Sequence, residues 1–247
     1  MNFDNQIALV TGGASGMGKA CVEYLHQRGM KVVIWDKQES SNSEADLFVT
    51  CDVTSEESVE RAMKETNAQV GTPRVCVNCA GIAPAKRIVG KEGAMPLSAF
   101  KQVIDVNLIG TFNVMRIAAH AMSVLELENK SQERGVIINT ASIAAFEGQI
   151  GQAAYSASKG GIVSMTLPAA RELARFAIRV NTIAPGLFAT PLLLNMPQEV
   201  QDNLAATITF PQRFGKPGEF AALVGQIIEN GMLNGAVIRL DGALRMQ

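Results

Sequence analysis

Several features that define other classes of protein are scarce in this sequence of 247 residues. No stretch approaches the roughly 18 apolar residues of a membrane-spanning helix, and residues 1–6 lack the basic and apolar regions of a secretion signal. Lys+Arg (22) and Asp+Glu (23) nearly balance, so the formal net charge of -1 gives no positive field for nucleic acid or an anionic membrane. We therefore expect a cytoplasmic protein whose partner is a small molecule.

Cysteine and histidine are also sparse: the sequence contains four cysteines and two histidines. Cysteines scattered among apolar neighbours predict buried, reduced thiols rather than a disulfide framework. Cys76 and Cys79 are spaced like half of a zinc site, but no second pair completes the coordination, so we expect no metal. His26 and His120 fall within predicted helices, and no Gly-x-Ser-x-Gly motif accompanies them, which argues against a Ser-His-Asp hydrolase.

What the sequence does contain is a large apolar fraction, 47% against 18% charged residues. Short runs rich in Val and Ile alternate with segments of helix length, the pattern of βαβ units that build a parallel sheet covered on both faces. No linker divides the chain, so we predict one doubly wound α/β domain over 1–247, with a substrate lid around 187–215 and another irregular segment at 82–96. The predicted strands are 7–11, 31–35, 47–51, 75–78, 135–140, 179–183 and 237–240, and the predicted helices are 16–28, 55–69, 97–126, 152–175 and 217–229.

A glycine-rich turn, Thr11-Gly12-Gly13-Ala14-Ser15-Gly16-Met17-Gly18, follows the first predicted strand. Glycines let the backbone approach a pyrophosphate, and the free N–H groups at the start of the next helix point towards it. The spacing also fits a P-loop as far as Ala20, which lacks the hydroxyl that a P-loop places on Mg²⁺. Alone, the turn could be only a tight connection between a strand and a helix, so the assignment depends on what accompanies it.

Asp36 follows that turn at the end of the second predicted strand. Dinucleotide-binding folds place a carboxylate roughly 20 residues after the turn, where it accepts hydrogen bonds from a ribose 2′-hydroxyl. The same charge repels a 2′-phosphate, which favours NAD over NADP. Lys37 is the counter-argument, because a lysine beside the carboxylate could meet such a phosphate.

Ser142 comes directly after the fifth predicted strand, and Tyr155 and Lys159 share one face of the next predicted helix because they stand at positions i and i+4. A nearby ammonium lowers the pKa of a phenol and makes it a usable proton donor and acceptor. A serine hydroxyl can hydrogen-bond the substrate oxygen, so the triplet suits oxidation of a secondary alcohol or reduction of a ketone. A single Tyr-x-x-x-Lys is more often a solvated helix face, but the glycine turn, Asp36 and Ser142 argue against that interpretation here.

Together with Asn78-Cys79-Ala80-Gly81, Asn107 and Pro185-Gly186, these motifs resemble the short-chain dehydrogenase/reductase family over essentially the whole chain. The resemblance implies a Rossmann-like parallel sheet of seven strands in the order 3-2-1-4-5-6-7. It also implies a proton relay in which Asn107 holds a water near Lys159, Lys159 binds the nicotinamide ribose, and Tyr155 exchanges the proton while hydride moves at nicotinamide C4. The cofactor-binding residues that it implies are Gly12, Ser15, Gly16, Met17, Gly18, Asp36, Asp52, Val53, Cys79, Ala80, Gly81, Tyr155, Lys159, Pro185, Gly186, Phe188 and Thr190. The family commonly has Asn where Cys79 stands, so a contact through a side-chain amide is lost at this position.

Three longer segments of the sequence resemble one branch of this family in particular. The segments 135–159, 184–194 and 238–247 are similar to the type 2 3-hydroxyacyl-CoA dehydrogenases, a branch of the family also described as 17β-hydroxysteroid dehydrogenases. That similarity implies NAD-linked oxidation of short or branched 3-hydroxyacyl-CoA, in fatty acid or branched-chain amino acid degradation, by a homotetramer. Lys86 and Arg87 are candidates for contacts with CoA phosphates, although a solvated loop is the more ordinary interpretation. The alternatives are a hydroxysteroid or other alcohol dehydrogenase of the family, and a non-catalytic regulator that binds a dinucleotide.

Overall fold

Runs of Val, Ile and Leu form the strands of a parallel sheet in the computed structural model, which describes residues 1–39 and 44–246. The seven strands lie in the order β3-β2-β1-β4-β7-β8-β9. A separate antiparallel pair, β5 and β6, occupies part of the segment 82–96 that the sequence analysis leaves irregular. The strands are β1 (Ile7–Thr11), β2 (Lys31–Asp36), β3 (Leu47–Thr50), β4 (Val75–Asn78), β5 (Val89–Gly90), β6 (Gly93–Ala94), β7 (Gly135–Thr140), β8 (Ile178–Pro185) and β9 (Val237–Leu240). With β5 and β6 set aside, this is the predicted order 3-2-1-4-5-6-7, which is confirmed.

Helices connect the strands and cover both faces of the sheet. The predicted helix over 97–126 is the one that differs most, because a five-residue π-helix, Asp105–Ile109, separates α3 from α4. The predicted irregular segment 187–215 contains two short helices, α6 and α7. The helices are α1 (Gly16–Gln27), α2 (Glu56–Gln69), α3 (Leu97–Ile104), α4 (Gly110–Ser123), α5 (Ala153–Leu173), α6 (Pro191–Leu194), α7 (Gln198–Ala206) and α8 (Pro217–Glu229).

The core lies in two layers, one on each face of the sheet. Successive residues of a strand point to opposite faces, so Val33 packs into one layer and Ile34 into the other. Helices α1 and α8 cover the layer that contains Ile34, whereas α2, α4 and α5 cover the layer that contains Val33. Burial on both faces explains why the strands read as continuous apolar runs rather than as an alternation of apolar and polar residues.

The carboxyl ends of the parallel strands bring distant parts of the sequence to one edge. The glycine turn follows β1, Asp36 ends β2, and Cys79 follows β4. Ser142 lies just past β7, and Gly186 follows β8. In open α/β sheets this edge is where ligands bind. Among the described residues, no helix is long and apolar enough to cross a membrane, and no group of three or more His, Cys, Asp or Glu side chains is arranged to hold a metal ion.

Candidate active site

The glycine turn is held tightly between β1 and the loop after β4. Gly12 donates a hydrogen bond to the Trp35 carbonyl at 2.9 Å and has a positive φ of 67°. A Cβ atom on Gly12 would lie 2.8 Å from the Ala80 nitrogen, and one on Gly18 would collide with the Gly12 carbonyl. Glycine is therefore required at both positions, and the start of α1 at Gly16 is left open towards a cleft.

Asp36 is fixed at the far wall of this cleft. Its carboxylate accepts hydrogen bonds from the backbone N–H of Ala14 and of Gln38, both at 3.1 Å. Lys37, the residue that could have met a 2′-phosphate, instead places its Nζ 2.9 Å from Asp52 Oδ2. Burial raises the pKa of Asp52, but hydrogen bonds from Lys37 and Thr54 outweigh it and hold that pKa below its usual range. The positive charge of Lys37, next to Asp36 in the sequence, is thus paired with the carboxylate of Asp52.

Two adjoining clefts contain every residue that the family resemblance implies for the cofactor. Their volumes are about 440 and 310 Å³, within the range of ligand pockets. The first is lined by Gly12, Ser15, Gly16, Met17, Gly18, Asp36, Asp52, Val53 and Ala80. The second is lined by Ser142, Tyr155, Lys159, Pro185, Gly186 and Phe188. Both are lined by Met17, Cys79, Gly81, Ile82 and Thr190, so they meet at the end of β4.

Lys159 is the buried cation of the second cleft. Its Nζ donates a hydrogen bond of 2.7 Å to the Thr140 carbonyl and lies 5.7 Å from the centre of the Tyr155 ring. Burial lowers the pKa of Lys159 to about 8, although attraction to Cys79 acts in the opposite direction. The side chain is therefore still mostly cationic at neutral pH, and it stands beside the phenol as its spacing on the helix predicts.

Tyr155 and Ser142 face each other in the same cleft. Burial raises the pKa of Tyr155, and its hydrogen bond with Ser142 offsets only part of that effect. The sequence-based expectation of a lowered pKa is wrong for the chain alone, because loss of hydration of the phenolate outweighs the stabilising groups. Ser142 also caps the short 3-10 turn that follows β7, since its Oγ accepts a hydrogen bond from the Ala144 N–H at 3.1 Å.

Asn107 lies behind the clefts rather than in their walls. It is fully buried in the π-helix, and its side-chain oxygen accepts a hydrogen bond of 2.8 Å from the Ile82 N–H. Its Nδ2 donates to the Ile82 carbonyl at 2.9 Å and to Ser158 Oγ at 3.0 Å. The Asn107 carbonyl accepts a hydrogen bond of 2.6 Å from the Thr111 hydroxyl. The side chain thus holds the backbone next to Gly81, where an added Cβ atom would lie 3.1 Å from Asn107 Oδ1 and 3.7 Å from Lys159 Nζ.

The sequence analysis missed three contributors to this site. Thr140 acts through its carbonyl, which carries no residue-type signal, and Ser158 acts by holding Asn107. Met246 reaches the second cleft from the other end of the chain. Arg239 holds this segment by donating to the Leu244 carbonyl at 3.0 Å, and it also donates to both oxygens of Glu147 at 2.8 and 3.0 Å. The Tyr-Ser-Ala-Ser-Lys run could have drawn attention to Ser158, but no local pattern connects residue 246 to the cleft.

Comparison with known proteins identifies the class. Residues 6–201 match the family model described as short chain dehydrogenase, so the chain belongs to the short-chain dehydrogenase family. It is accordingly a dehydrogenase, and the family implies a nicotinamide dinucleotide as its cofactor.

Individual relatives narrow this class further. The chain is 54% identical to 3-hydroxyacyl-CoA dehydrogenase type-2 of Bos taurus and 53% identical to that of Homo sapiens, in each case over 98% of this chain and 95% of the relative. The crystal structure of 3-hydroxyacyl-CoA dehydrogenase type-2 from Mycobacterium avium superposes with a TM-score of 0.93 at 43% identity, covering 99% of this chain and 98% of that one. The resemblance inferred from the sequence motifs is confirmed.

Proposed function

We propose that this dehydrogenase uses NAD and interconverts a 3-hydroxyacyl-CoA and a 3-oxoacyl-CoA. The observation that carries the proposal is the convergence of Ser142, Tyr155 and Lys159 in a cleft that adjoins the glycine turn. The names of the relatives that match over nearly the whole chain support the thioester as substrate. In this role the enzyme would serve lipid or branched-chain amino acid degradation.

The residues of the first cleft fit NAD. Gly12 lets the glycine turn pack directly against the backbone of Ala80, and the start of α1 supplies N–H groups for a pyrophosphate. Asp36 presents a carboxylate suited to a ribose 2′-hydroxyl and unsuited to a 2′-phosphate. Lys37 is paired with Asp52, and this pairing supports NAD over NADP.

The catalytic roles follow from the second cleft. When bound, the nicotinamide ring supplies the acceptor for the hydride that leaves the carbinol carbon. Ser142 hydrogen-bonds the substrate oxygen, and Tyr155 takes the hydroxyl proton during oxidation. Lys159, cationic below about pH 8, stabilises the phenolate and binds the nicotinamide ribose. This stabilisation is needed because burial alone raises the pKa of Tyr155.

Asn107 supports the relay from behind. Its side chain fixes the backbone at Ile82, which lines both clefts. A carbonyl oxygen has two lone pairs, and the carbonyl of Asn107 uses one for Thr111. We assign the second lone pair to the water of the proton relay, next to Lys159. The π-helix supports this role, because π-helical turns inserted into α-helices occur frequently at functional sites.

A neighbouring cavity is suited to the CoA part of the substrate. Its volume is about 550 Å³, and Ala144 lines both this cavity and the second cleft. Lys86 and Arg87 lie in its wall with exposed side chains that could meet phosphates. The Lys86 N–H donates to the Gly151 carbonyl at 2.8 Å, so this segment is tied to the loop that precedes Tyr155.

The substrate assignment is tested by replacing Lys86 and Arg87 together with Ala. We expect a higher KM for acetoacetyl-CoA and an unchanged KM for a small ketone analogue that lacks CoA. Lys91→Ala is the matched control, because Lys91 is an exposed cation of the same segment outside the cavity wall. An equal effect on both substrates would remove the CoA contact, and turnover of a ketosteroid but not of the thioester would favour the hydroxysteroid alternative.

We also propose a homotetramer. Three apolar residues are unusually exposed: Ile109 at the end of the π-helix (47%), Phe112 on α4 (49%) and Leu167 on α5 (44%). The strand β9 forms an edge of the sheet and is only partly covered. Two isologous interfaces at these places would close a tetramer. Light scattering should give four chains per particle, and Phe112→Glu should reduce that number; a monomeric wild-type protein would refute the assembly.

A further inference from the structure

The segment that follows β9, residues 241–246, brings a side chain into the wall of the second cleft. The segment begins with a turn in which the Leu244 N–H donates to the Asp241 carbonyl at 3.1 Å. Met246 then lines the second cleft together with Leu187 and Leu193. These three large apolar side chains line neither the first cleft nor the cavity suited to CoA. They are therefore available to the part of a substrate that lies beyond its reacting carbon.

Arg239 ties this segment to the turn that carries Ser142. Its guanidinium donates to both oxygens of Glu147 at 2.8 and 3.0 Å and to the Leu244 carbonyl at 3.0 Å. The Glu147 N–H donates to the Ile143 carbonyl at 3.0 Å, directly after the residue that caps the turn. Two parallel hydrogen bonds between a guanidinium and a carboxylate fix orientation as well as distance. Because the two side chains expose 22% and 23% of their surface, the pair is screened less than an open one.

The lid segment 187–215 holds the same residues through its backbone and one hydroxyl. The Phe210 N–H donates to the Gly242 carbonyl at 3.1 Å, and the Thr209 hydroxyl donates to the Ala243 carbonyl at 3.2 Å. Gly242 has a positive φ of 58°, and a Cβ atom there would lie 2.7 Å from Ile208 Cγ2. The lid and the C-terminal segment therefore lie in direct contact.

A small apolar cluster joins the three segments. Ile143 comes from the turn after β7, Ile208 from the lid and Leu244 from the C-terminal segment, and all three are buried. Leu187 and Met246 pack against this cluster. The position of Met246 is thus determined by the turn that carries the catalytic serine and by the lid at the same time.

We propose that Met246 sets the length of the carbon chain that the second cleft accepts, and that Arg239 and Glu147 are the residues that position it. This inference rests on the proposed function, because it names the part of the substrate that this wall meets. Met246 limits the chain through the shape of its side chain, whereas the ion pair acts through the segment that carries Met246.

The course of the substrate through the cleft supports this role. A 3-oxo carbon held at Ser142 and Tyr155 carries the thioester arm on one side and the rest of the acyl chain on the other. The thioester arm leads to the CoA cavity, which adjoins the cleft at Ala144. The chain is then left with the apolar wall that contains Met246. The cleft has a volume of about 310 Å³, near the lower end of ligand pockets, and it must also hold the nicotinamide ring. An unbranched, flexible methionine limits such a chain by its length.

The experiment measures kcat/KM for acetoacetyl-CoA and for 3-oxooctanoyl-CoA, with NADH, in the wild type and in two variants of Met246. Met246→Ala makes room for the longer chain and should raise the ratio of the long to the short substrate at least about tenfold, the smaller end of what one methylene group changes in an apolar pocket. Met246→Phe should lower the same ratio. A general loss of folding cannot move the ratio in opposite directions. Met232→Ala is the matched control, because Met232 is exposed and lies outside both clefts.

Glu147→Gln tests the positioning pair while preserving the shape of the side chain. It removes the charge that meets Arg239 and, at 3.5 Å, the more exposed Arg245. We expect the ratio to rise at least about threefold, because a neutral amide forms weaker hydrogen bonds to a guanidinium. In the double variant Glu147→Gln/Met246→Ala, the two effects should add to less than their sum, since both act on one wall. Glu56→Gln, which breaks an exposed ion pair, is the control and should leave the ratio unchanged.

A ratio unchanged in both Met246 variants, or one that moves as far in Met232→Ala, would overturn the role of Met246. An unchanged ratio in Glu147→Gln, or full additivity in the double variant, would overturn the role of the ion pair. The ethyl esters of the same two 3-oxo acids distinguish these failures from a failure of the proposed function. If the wild type reduces the esters but not the thioesters, the CoA substrate is wrong, and the ester ratio still decides the role of Met246. If it reduces neither pair with NADH or NADPH, the proposed function fails and this inference fails with it.

Discussion

Replacing Asp36 by Asn tests the cofactor assignment with almost no change of shape. A hydrogen bond to a charged group contributes about 1.5–3 kcal/mol and one to a neutral group about 0.5–1.5 kcal/mol. The variant should therefore bind NAD less tightly by about 1–1.5 kcal/mol, or roughly tenfold, at 1.4 kcal/mol per factor of ten. The carboxylate also accepts the backbone N–H groups of Ala14 and Gln38, and the amide oxygen can retain one of these bonds.

The same substitution removes the repulsion of a 2′-phosphate. Two unit charges about 4 Å apart interact by about 4 kcal/mol at an effective dielectric constant of about 20. Asp36 is only half-buried, so solvent screening reduces this to about 2 kcal/mol, or roughly thirtyfold in favour of NADP. The ratio of kcat/KM for NAD to that for NADP should fall by about two orders of magnitude.

The assay compares kcat/KM for both cofactors in the wild type, Asp36→Asn and Lys37→Ala. Lys37 is the matched control, because it is paired with Asp52 and should shift the ratio by less than about threefold. An unchanged ratio in Asp36→Asn would refute the role of this carboxylate. A larger effect of Lys37→Ala than of Asp36→Asn would show that the lysine selects the cofactor instead.

Three further outcomes follow from the site and the core. Tyr155→Phe should lower kcat by about 10²–10⁴-fold while NAD still binds, because only the proton transfer is lost; retained turnover would favour the non-catalytic regulator. Burial lowers the pKa of Lys159 to about 8, so its side chain is cationic below that pH. Titration calorimetry should therefore show that NAD binding weakens as the pH rises through about 8. An affinity for NAD that does not change with pH would contradict this role of Lys159. Glu133→Ala should lower the free energy of unfolding in urea by about 3 kcal/mol, because the buried Arg179 guanidinium loses its counter-charge. Glu56→Ala breaks an exposed ion pair with Arg116 and should lower it by at most about 1 kcal/mol. An equal loss of unfolding free energy in the two variants would contradict the claim that burial makes the Glu133–Arg179 pair the more important one.

The strand pattern could be predicted closely because a parallel sheet leaves a strong trace in the sequence. Strands β1, β4, β7 and β9 have the predicted bounds, since their short apolar runs end abruptly at polar or glycine residues. The helix over 97–126 could not be resolved in the same way. A π-helix adds a residue to one turn without changing the apolar composition, so periodicity gives no sign of the break at Asp105–Ile109.

The candidate site was predictable where side-chain type carries the chemistry and not where the main chain does. Asp36, Tyr155 and Lys159 stand out because they occur together with the glycine turn and Ser142, each at the spacing that the chemistry requires. The contribution of Thr140 is a carbonyl oxygen, which every residue possesses. The direction of the Tyr155 pKa shift depends on burial in a cleft built from distant segments, including Met246, and no local pattern encodes that burial.

The most direct measurement is the initial rate of NADH oxidation by the purified chain with acetoacetyl-CoA, beside the same reaction with NADPH and with a ketosteroid. We predict rapid turnover with NADH and the thioester, and a much lower rate with either replacement. Turnover with the ketosteroid alone would contradict the substrate assignment, and equal or faster turnover with NADPH would contradict the role of Asp36.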